Sequence, residues 1–140
     1  RLSRAYAADL PVDLAYQGFE AELAALPGAY VPPKGALLIA RGNGRPLGCV
    51  ALRPLGRDGC EMKRLYVGPE ARGTGLGRRL VLAAVEEARR LGHREMRLDT
   101  LPSMLQAQAL YRELGFRDCS PYYDTPIAGT RFMSLALAPG

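Results

Sequence analysis

Three glycines alternate with other residues in Arg72-Gly73-Thr74-Gly75-Leu76-Gly77-Arg78, between a strand-like run at 60–67 and an amphipathic helical pattern over 75–91. No other segment restricts the fold as much, because it must carry a strand into a helix through a turn that side chains would obstruct. Glycine adopts backbone conformations closed to other residues and admits a ligand where a Cβ would stand. The first N–H groups of the helix have no partner inside it, and the helix dipole makes that end positive. The junction therefore predicts an anion site, with Arg72 and Arg78 adding charge on either side. A phosphate-bearing ligand is the natural expectation.

Phosphate loops of several kinds can be compared with it. A Walker A loop needs Gly-Lys followed by Ser or Thr, and that sequence occurs nowhere in the chain. A dinucleotide fingerprint takes Gly73 and Gly75 as its first two glycines, but its third falls on Arg78, and no acidic residue follows at the ribose-binding distance. The pattern [Q/R]-x-x-G-x-[G/A] is met by Arg72, Gly75 and Gly77. Upstream, Leu65-Tyr66-Val67 precedes Pro69, and downstream Ala107, Leu110 and Tyr111 lead into Leu114-Gly115-Phe116. Taken together and in this order, these segments resemble the GNAT N-acetyltransferase superfamily, in which the glycine loop holds the pyrophosphate of acyl-CoA.

Composition sets the frame. A chain of 140 residues with 48% hydrophobic and 24% charged residues is expected to make one domain, 1–140, with a real core. No apolar run reaches membrane-spanning length and no signal peptide is visible, so a cytoplasmic, bacterial-type protein is expected. Cys49, Cys60 and Cys119 lack metal-ligand spacing and read as reduced thiols, and no metal is expected. The lone His93 follows a helix and reads as a solvated surface residue. The net charge of +5 comes from arginines scattered along the chain, with Lys34 and Lys63 the only lysines. Without a basic tract or interleaved aromatics, nucleic acid is not an expected partner.

The periodicity predicts short helices at 3–10 and 19–26, a loop at 29–35, and strands at 36–41, 47–55 and 60–67 forming an antiparallel meander. A helix follows over 75–91, with Leu76, Leu80, Ala83, Ala84 and Ala88 on one face. A strand at 95–101 must return parallel to 60–67, because a helix separates them. A second helix at 104–114 and closing strands at 116–120 and 131–138 complete an α+β fold with a mixed, mostly antiparallel sheet flanked by helices. The resemblance implies that the central parallel pair is splayed. It also implies a further strand at the start, which is not evident before Ser3.

Amine acetylation requires that the pyrophosphate be held, the thioester carbonyl polarised, the amine deprotonated and the thiolate protonated. The first task falls to the backbone amides of Gly73, Thr74, Gly75, Leu76, Gly77 and Arg78, with charge from Arg72 and Arg78. The resemblance gives Leu65, Tyr66 and Val67 the main-chain contacts to the pantetheine arm, and Tyr111 the role of general acid. Glu61, eleven residues before Arg72, stands where several members carry a general base, although a salt bridge to Lys63, Arg64 or another arginine is the structural alternative. The resemblance also implies that Ala107 and Met104 fall beside the cofactor on the later helix. Met104 replaces the asparagine that members often place seven residues before the tyrosine. Phe19, Tyr30, the Pro32-Pro33 loop, Tyr122 and Tyr123 are expected to border the acceptor pocket. The resemblance thus implies acetyl-CoA as donor, direct attack in a ternary complex and a primary amine of a small molecule as acceptor. A protein or peptide acceptor, a non-catalytic acyl-CoA sensor and a homodimeric assembly remain open.

Overall fold

The run Ala36-Leu37-Leu38-Ile39-Ala40 is apolar at every position, so it requires cover on both faces and becomes a fully buried strand. A computed structural model describes residues 35–42 and 44–137 of the chain. In it, β1 (Ala36–Gly42), β2 (Arg45–Leu55) and β3 (Gly59–Val67) form an antiparallel meander. A 3₁₀ turn (Pro69–Ala71) leads to α1 (Leu76–Arg90), β4 (Glu95–Thr100), α2 (Leu105–Glu113), β5 (Arg117–Asp118) and β6 (Arg131–Ala136). The described strands stand in the order β1-β2-β3-β4-β6-β5. Among them only β3 and β4 run parallel, as the intervening helix demands. The α+β architecture with its mixed, mostly antiparallel sheet is the one expected from the sequence.

α1 packs across β1, β2 and β3. It buries Leu76, Leu80, Val81, Ala84, Val85 and Ala88. Each large aliphatic side chain among them contributes roughly 1.5–3 kcal/mol of burial. Ala83, expected on this face, sits only partly buried at its margin, and the β-branched Val81 and Val85 take its share.

Two irregularities in β3 prepare the site. Cys49 pairs with Tyr66 and Ala51 with Lys63, so β3 carries one residue more than β2 over this stretch. Arg64 absorbs it in the left-handed conformation at φ 58°, and its carbonyl accepts the Cys49 S–H at 3.3 Å. Such a bulge bends the strand and increases its twist. The pairing of β3 with β4 is also short, confined to Gly59 with Glu95, Cys60 with Met96 and Glu61 with Arg97. Beyond it β3 stays with β2 as far as Val67, and β4 stays with β6 as far as Thr100. The parallel pair therefore parts while each strand keeps its outer neighbour.

Several boundaries depart from the sequence reading. β2 starts at Arg45 rather than 47, and α2 covers Leu105–Glu113 rather than 104–114. The strand expected over 116–120 shortens to Arg117–Asp118, since Pro121 has no N–H to extend the ladder. β6 ends at Ala136. His93 is buried, not solvated: Gly92 at φ 88° turns the chain inward, and the His93 amide donates to Ala88 at 3.0 Å. The helices expected at 3–10 and 19–26 lie outside the described residues. Among the described residues, no helix is long and apolar enough to cross a membrane.

Candidate active site

The parting of β3 from β4 leaves a cleft of about 190 Å³ lined by Met62, Lys63, Arg64 and Leu65 from one strand and Leu98, Asp99 and Thr100 from the other, with Met104 and Tyr111 closing it from α2. Leu65 and Tyr111, which the sequence places forty-six residues apart, thus share one cavity. Strands that separate present main-chain N–H and C=O groups on their facing edges, and an extended ligand arm can take the place of the missing partner.

At the C-terminal end of β3 the chain passes into the glycine loop. The Gly68 amide donates to Leu47 at 2.6 Å, and the Thr74 hydroxyl donates to the Ala71 carbonyl at 2.5 Å. Gly73 and Gly75 hold φ of 78° and 85°, the left-handed region. A carbon added at either would meet nothing within 4 Å, so the space above both is open to a ligand. Gly75 is the N-cap of α1 and has no side chain with which to cap, and the first turn carries no acidic residue. The amides of that turn face outward with the positive dipole end behind them. Arg72 donates from Nε to the Val67 carbonyl at 3.3 Å, while Arg78 pairs with Glu113 at 2.5 Å. Gly77 stands 3.6 Å, measured from an added Cβ, from the Val67 side chain and close to Leu110, so loop, strand and α2 converge there.

Tyr111 is 6% exposed, its ring 5.7 Å from that of Phe116. Burial, reinforced by the charge of Asp99, pushes its hydroxyl up to about 12. A phenol in this setting stays protonated throughout the physiological range. Ala107 lies partly buried against the core on the same helix, and Met104 is exposed at its start. Leu65 lines the cleft, and Tyr66 is largely exposed.

Glu61 is only 1% exposed, and its carboxylate has three partners. Arg53 on β2 donates from Nε at 2.7 Å, Lys63 stands at 3.5 Å, and the Tyr122 hydroxyl donates at 2.7 Å. Lys63 also stands 3.6 Å from Asp99, which accepts the Tyr123 hydroxyl at 2.5 Å. Tyr122 and Tyr123 both pack edge-on against Phe132. Burial and the bond to Glu61 raise the pKa of Tyr122 well above the usual phenol range, and the bond to Asp99 raises that of Tyr123. The structure thus brings Glu61, Tyr122 and Tyr123 into one polar network that meets the cleft through Lys63 and Asp99. Phe19, Tyr30 and the Pro32-Pro33 loop fall outside the described residues.

Asp99 and Thr100 were not among the residues expected from the sequence. The alternation Glu95, Arg97, Asp99 along β4 is the signal that puts Asp99 on one face, two residues past the partner of Glu61. The Thr100 hydroxyl is buried without a hydrogen-bond partner among the described residues. Among the described residues, no cluster of three or more His, Cys, Asp or Glu is placed to hold a metal.

Comparison with known proteins agrees with this geometry. Residues 4–116 match the model of the Acetyltransferase (GNAT) family. An uncharacterized N-acetyltransferase of Schizosaccharomyces pombe is 43% identical over 139 residues, covering 98% of this chain and 85% of its own. A Klebsiella pneumoniae protein assigned by name as an acyl-CoA N-acyltransferase superposes with a TM-score of 0.71 at 30% identity, over 86% of each chain. A Salmonella typhimurium protein assigned by name as an acetyltransferase, solved with its cofactor acetyl-CoA, superposes with a TM-score of 0.63 at 26% identity, over 76% of this chain and 66% of the other. Matched by the family model over residues 4–116, most of its length, the chain belongs to the GNAT acetyltransferase family.

Proposed function

We propose that the chain transfers the acetyl group of acetyl-CoA to a primary amine, of a small molecule, by direct attack within a ternary complex. The observation that carries this reading is the position of Tyr111, a buried phenol facing a cleft between parted strands that begins one turn from an open glycine loop. Acetyl-CoA supplies an activated thioester, whose cleavage requires an amine free of its proton and a proton for the departing sulfur. The residues present suit it: the amides of Gly73, Thr74, Gly75, Leu76, Gly77 and Arg78 would hold the pyrophosphate, with Arg72 and Arg78 adding charge. Main-chain groups of Leu65, Tyr66 and Val67 would hold the pantetheine arm and polarise the carbonyl, with Met104 and Ala107 bordering it. Tyr111 keeps a proton to donate to the sulfur. Asp99 lines the cleft and Glu61 lies behind it, joined through Lys63, and one of these carboxylates takes the proton of the acceptor amine. We also place the chain in the cytoplasm, a reading with which its three free thiols are consistent.

The test joins binding to turnover. Calorimetry with acetyl-CoA should give binding to the parent protein and none to Gly75→Glu, whose carboxylate would fill the anion site. A chromogenic thiol reagent should then detect CoA release with a panel of alkylamines, arylalkylamines, amino acids and short peptides. Release with small amines supports the reading. Release with peptides alone moves the acceptor to proteins, and binding without release from any amine would leave a sensor.

A further inference from the structure

We propose that Asp99 is the general base that accepts the proton of the acceptor's ammonium group, with Glu61 a positioning residue beside it. The inference rests on the acetyl-transfer reading above and names the group that reading leaves open. A base must reach the space where the amine meets the thioester. Among the described residues the titratable side chains lining the cleft are Lys63, Arg64, Asp99 and Tyr111. Arg64 stays charged, Lys63 is held as a cation between two carboxylates, and Tyr111 keeps its own proton. Asp99 alone in that set offers a carboxylate to an ammonium.

Its surroundings fit the task. Among the described residues, the Tyr123 hydroxyl occupies Oδ2 and Oδ1 has only the Lys63 ammonium at 3.6 Å, beyond good hydrogen-bonding distance. An incoming ammonium can take that place without removing the hydroxyl. Asp99 retains 19% of its side-chain exposure, against 1% for Glu61. Glu61 does not line the cleft, and Arg53 and Tyr122 both hold it at 2.7 Å. Its role is to fix the Tyr122 loop, and so the wall of the acceptor site.

The proton count closes. Asp99 takes one proton from the ammonium, the freed nitrogen bonds to the acetyl carbon, and the carbon–sulfur bond breaks with its electron pair on sulfur. Tyr111 protonates that sulfur and is recharged by the second proton of the nitrogen, while Asp99 releases the first to solvent. The groups around Asp99 are Lys63, Arg64 and Glu61 from β3, Arg97 from its own strand, Tyr111 from α2, and Tyr122 and Tyr123 from the loop after β5. A rate profile with and without the Asp99 carboxylate therefore reports how the amine loses its proton.

The experiment measures kcat/KM from pH 6 to 10 with the fastest amine of the panel, for the parent, Asp99→Asn, Asp99→Glu and Glu61→Gln, alongside calorimetric affinity for acetyl-CoA. Asp99→Asn should lose about 100-fold at pH 7, recover about tenfold per unit as solution hydroxide deprotonates the amine, and bind acetyl-CoA within twofold of the parent. Asp99→Glu should restore the parent's pH dependence. Glu61→Gln should raise KM for the amine while keeping the parent's pH profile. Parent-like turnover and profile in Asp99→Asn would overturn the assignment, as would the pH phenotype appearing in Glu61→Gln instead. A parent that binds acetyl-CoA and acetylates no amine overturns the transfer reading, and this role with it.

Discussion

The hydroxyl of Tyr122 donates to the buried carboxylate of Glu61 at 2.7 Å, across 61 residues of sequence. This bond ties the loop after β5 to the centre of β3, where Arg53 holds the other carboxylate oxygen. Among the described residues, deleting the hydroxyl leaves one oxygen of a buried carboxylate with a single distant cation, Lys63 at 3.5 Å. Tyr122→Phe should therefore destabilise the fold by roughly 1–3 kcal/mol, measured by urea unfolding. It should also raise KM for the amine more than it lowers kcat, because it loosens a wall of the site and leaves the acid in place.

Tyr111→Phe separates chemistry from packing. The ring contact with Phe116 survives, so acetyl-CoA affinity should stay within twofold while kcat falls roughly 100-fold. The same variant reports on stability in alkali. The folded hydroxyl holds its proton more tightly than the unfolded one, so stability from this group is complete below pH 10 and is lost as the pH climbs toward 12. The parent should lose roughly 3 kcal/mol over those two units from this source. Stability curves at pH 9.5 and 11.5 should show that part of the decline missing in Tyr111→Phe.

Gly48→Ala tests how closely β2 supports β3. The added carbon would stand 2.5 Å from the Tyr66 carbonyl and 3.0 Å from the Leu80 side chain, and backbone cannot yield as a flexible side chain can. A loss of roughly 1–3 kcal/mol is expected, with weaker acetyl-CoA binding because Tyr66 is displaced. Thermal unfolding and calorimetry together check it.

Arg78 is engaged by Glu113 in an exposed pair whose own worth is small, on the order of 0.5 kcal/mol. Freeing the guanidinium for an anionic ligand should matter more than losing that pair. Glu113→Gln is expected to tighten acetyl-CoA binding about threefold at low salt, and the gain should vanish at about 0.5 M salt, where charges this exposed are screened. An unchanged affinity at low salt would show that Arg78 does not reach the ligand.

The parts of the site legible in the sequence are those coded locally. The glycine loop declares itself because left-handed residues at Gly73 and Gly75 select glycine, and α1 declares itself through its apolar period. The parallel return of β4 follows from the helix before it. Asp99 is different: nothing in Glu95-Met96-Arg97-Leu98-Asp99 separates it from ordinary strand alternation. It becomes a cleft residue only because pairing with β3 stops at Arg97, a property of two strands far apart in sequence. His93 misleads for a similar reason, since its burial depends on the turn at Gly92, after which its amide donates back to Ala88. Ala83 yields to Val81 and Val85 because the apolar stripe is wider than a single row of helical positions.

The early end of the β3–β4 ladder has a consequence for how such a chain can change. An opening made by two backbones drawing apart is recorded in no particular side chain; it depends on register and on the extra residue at Arg64. Substitution along the cleft walls can therefore alter what an enterable gap accepts without closing it. Insertion or deletion of one residue near Arg64 would shift the pleat and seal it. Such a site tolerates drift in letters and resists drift in length.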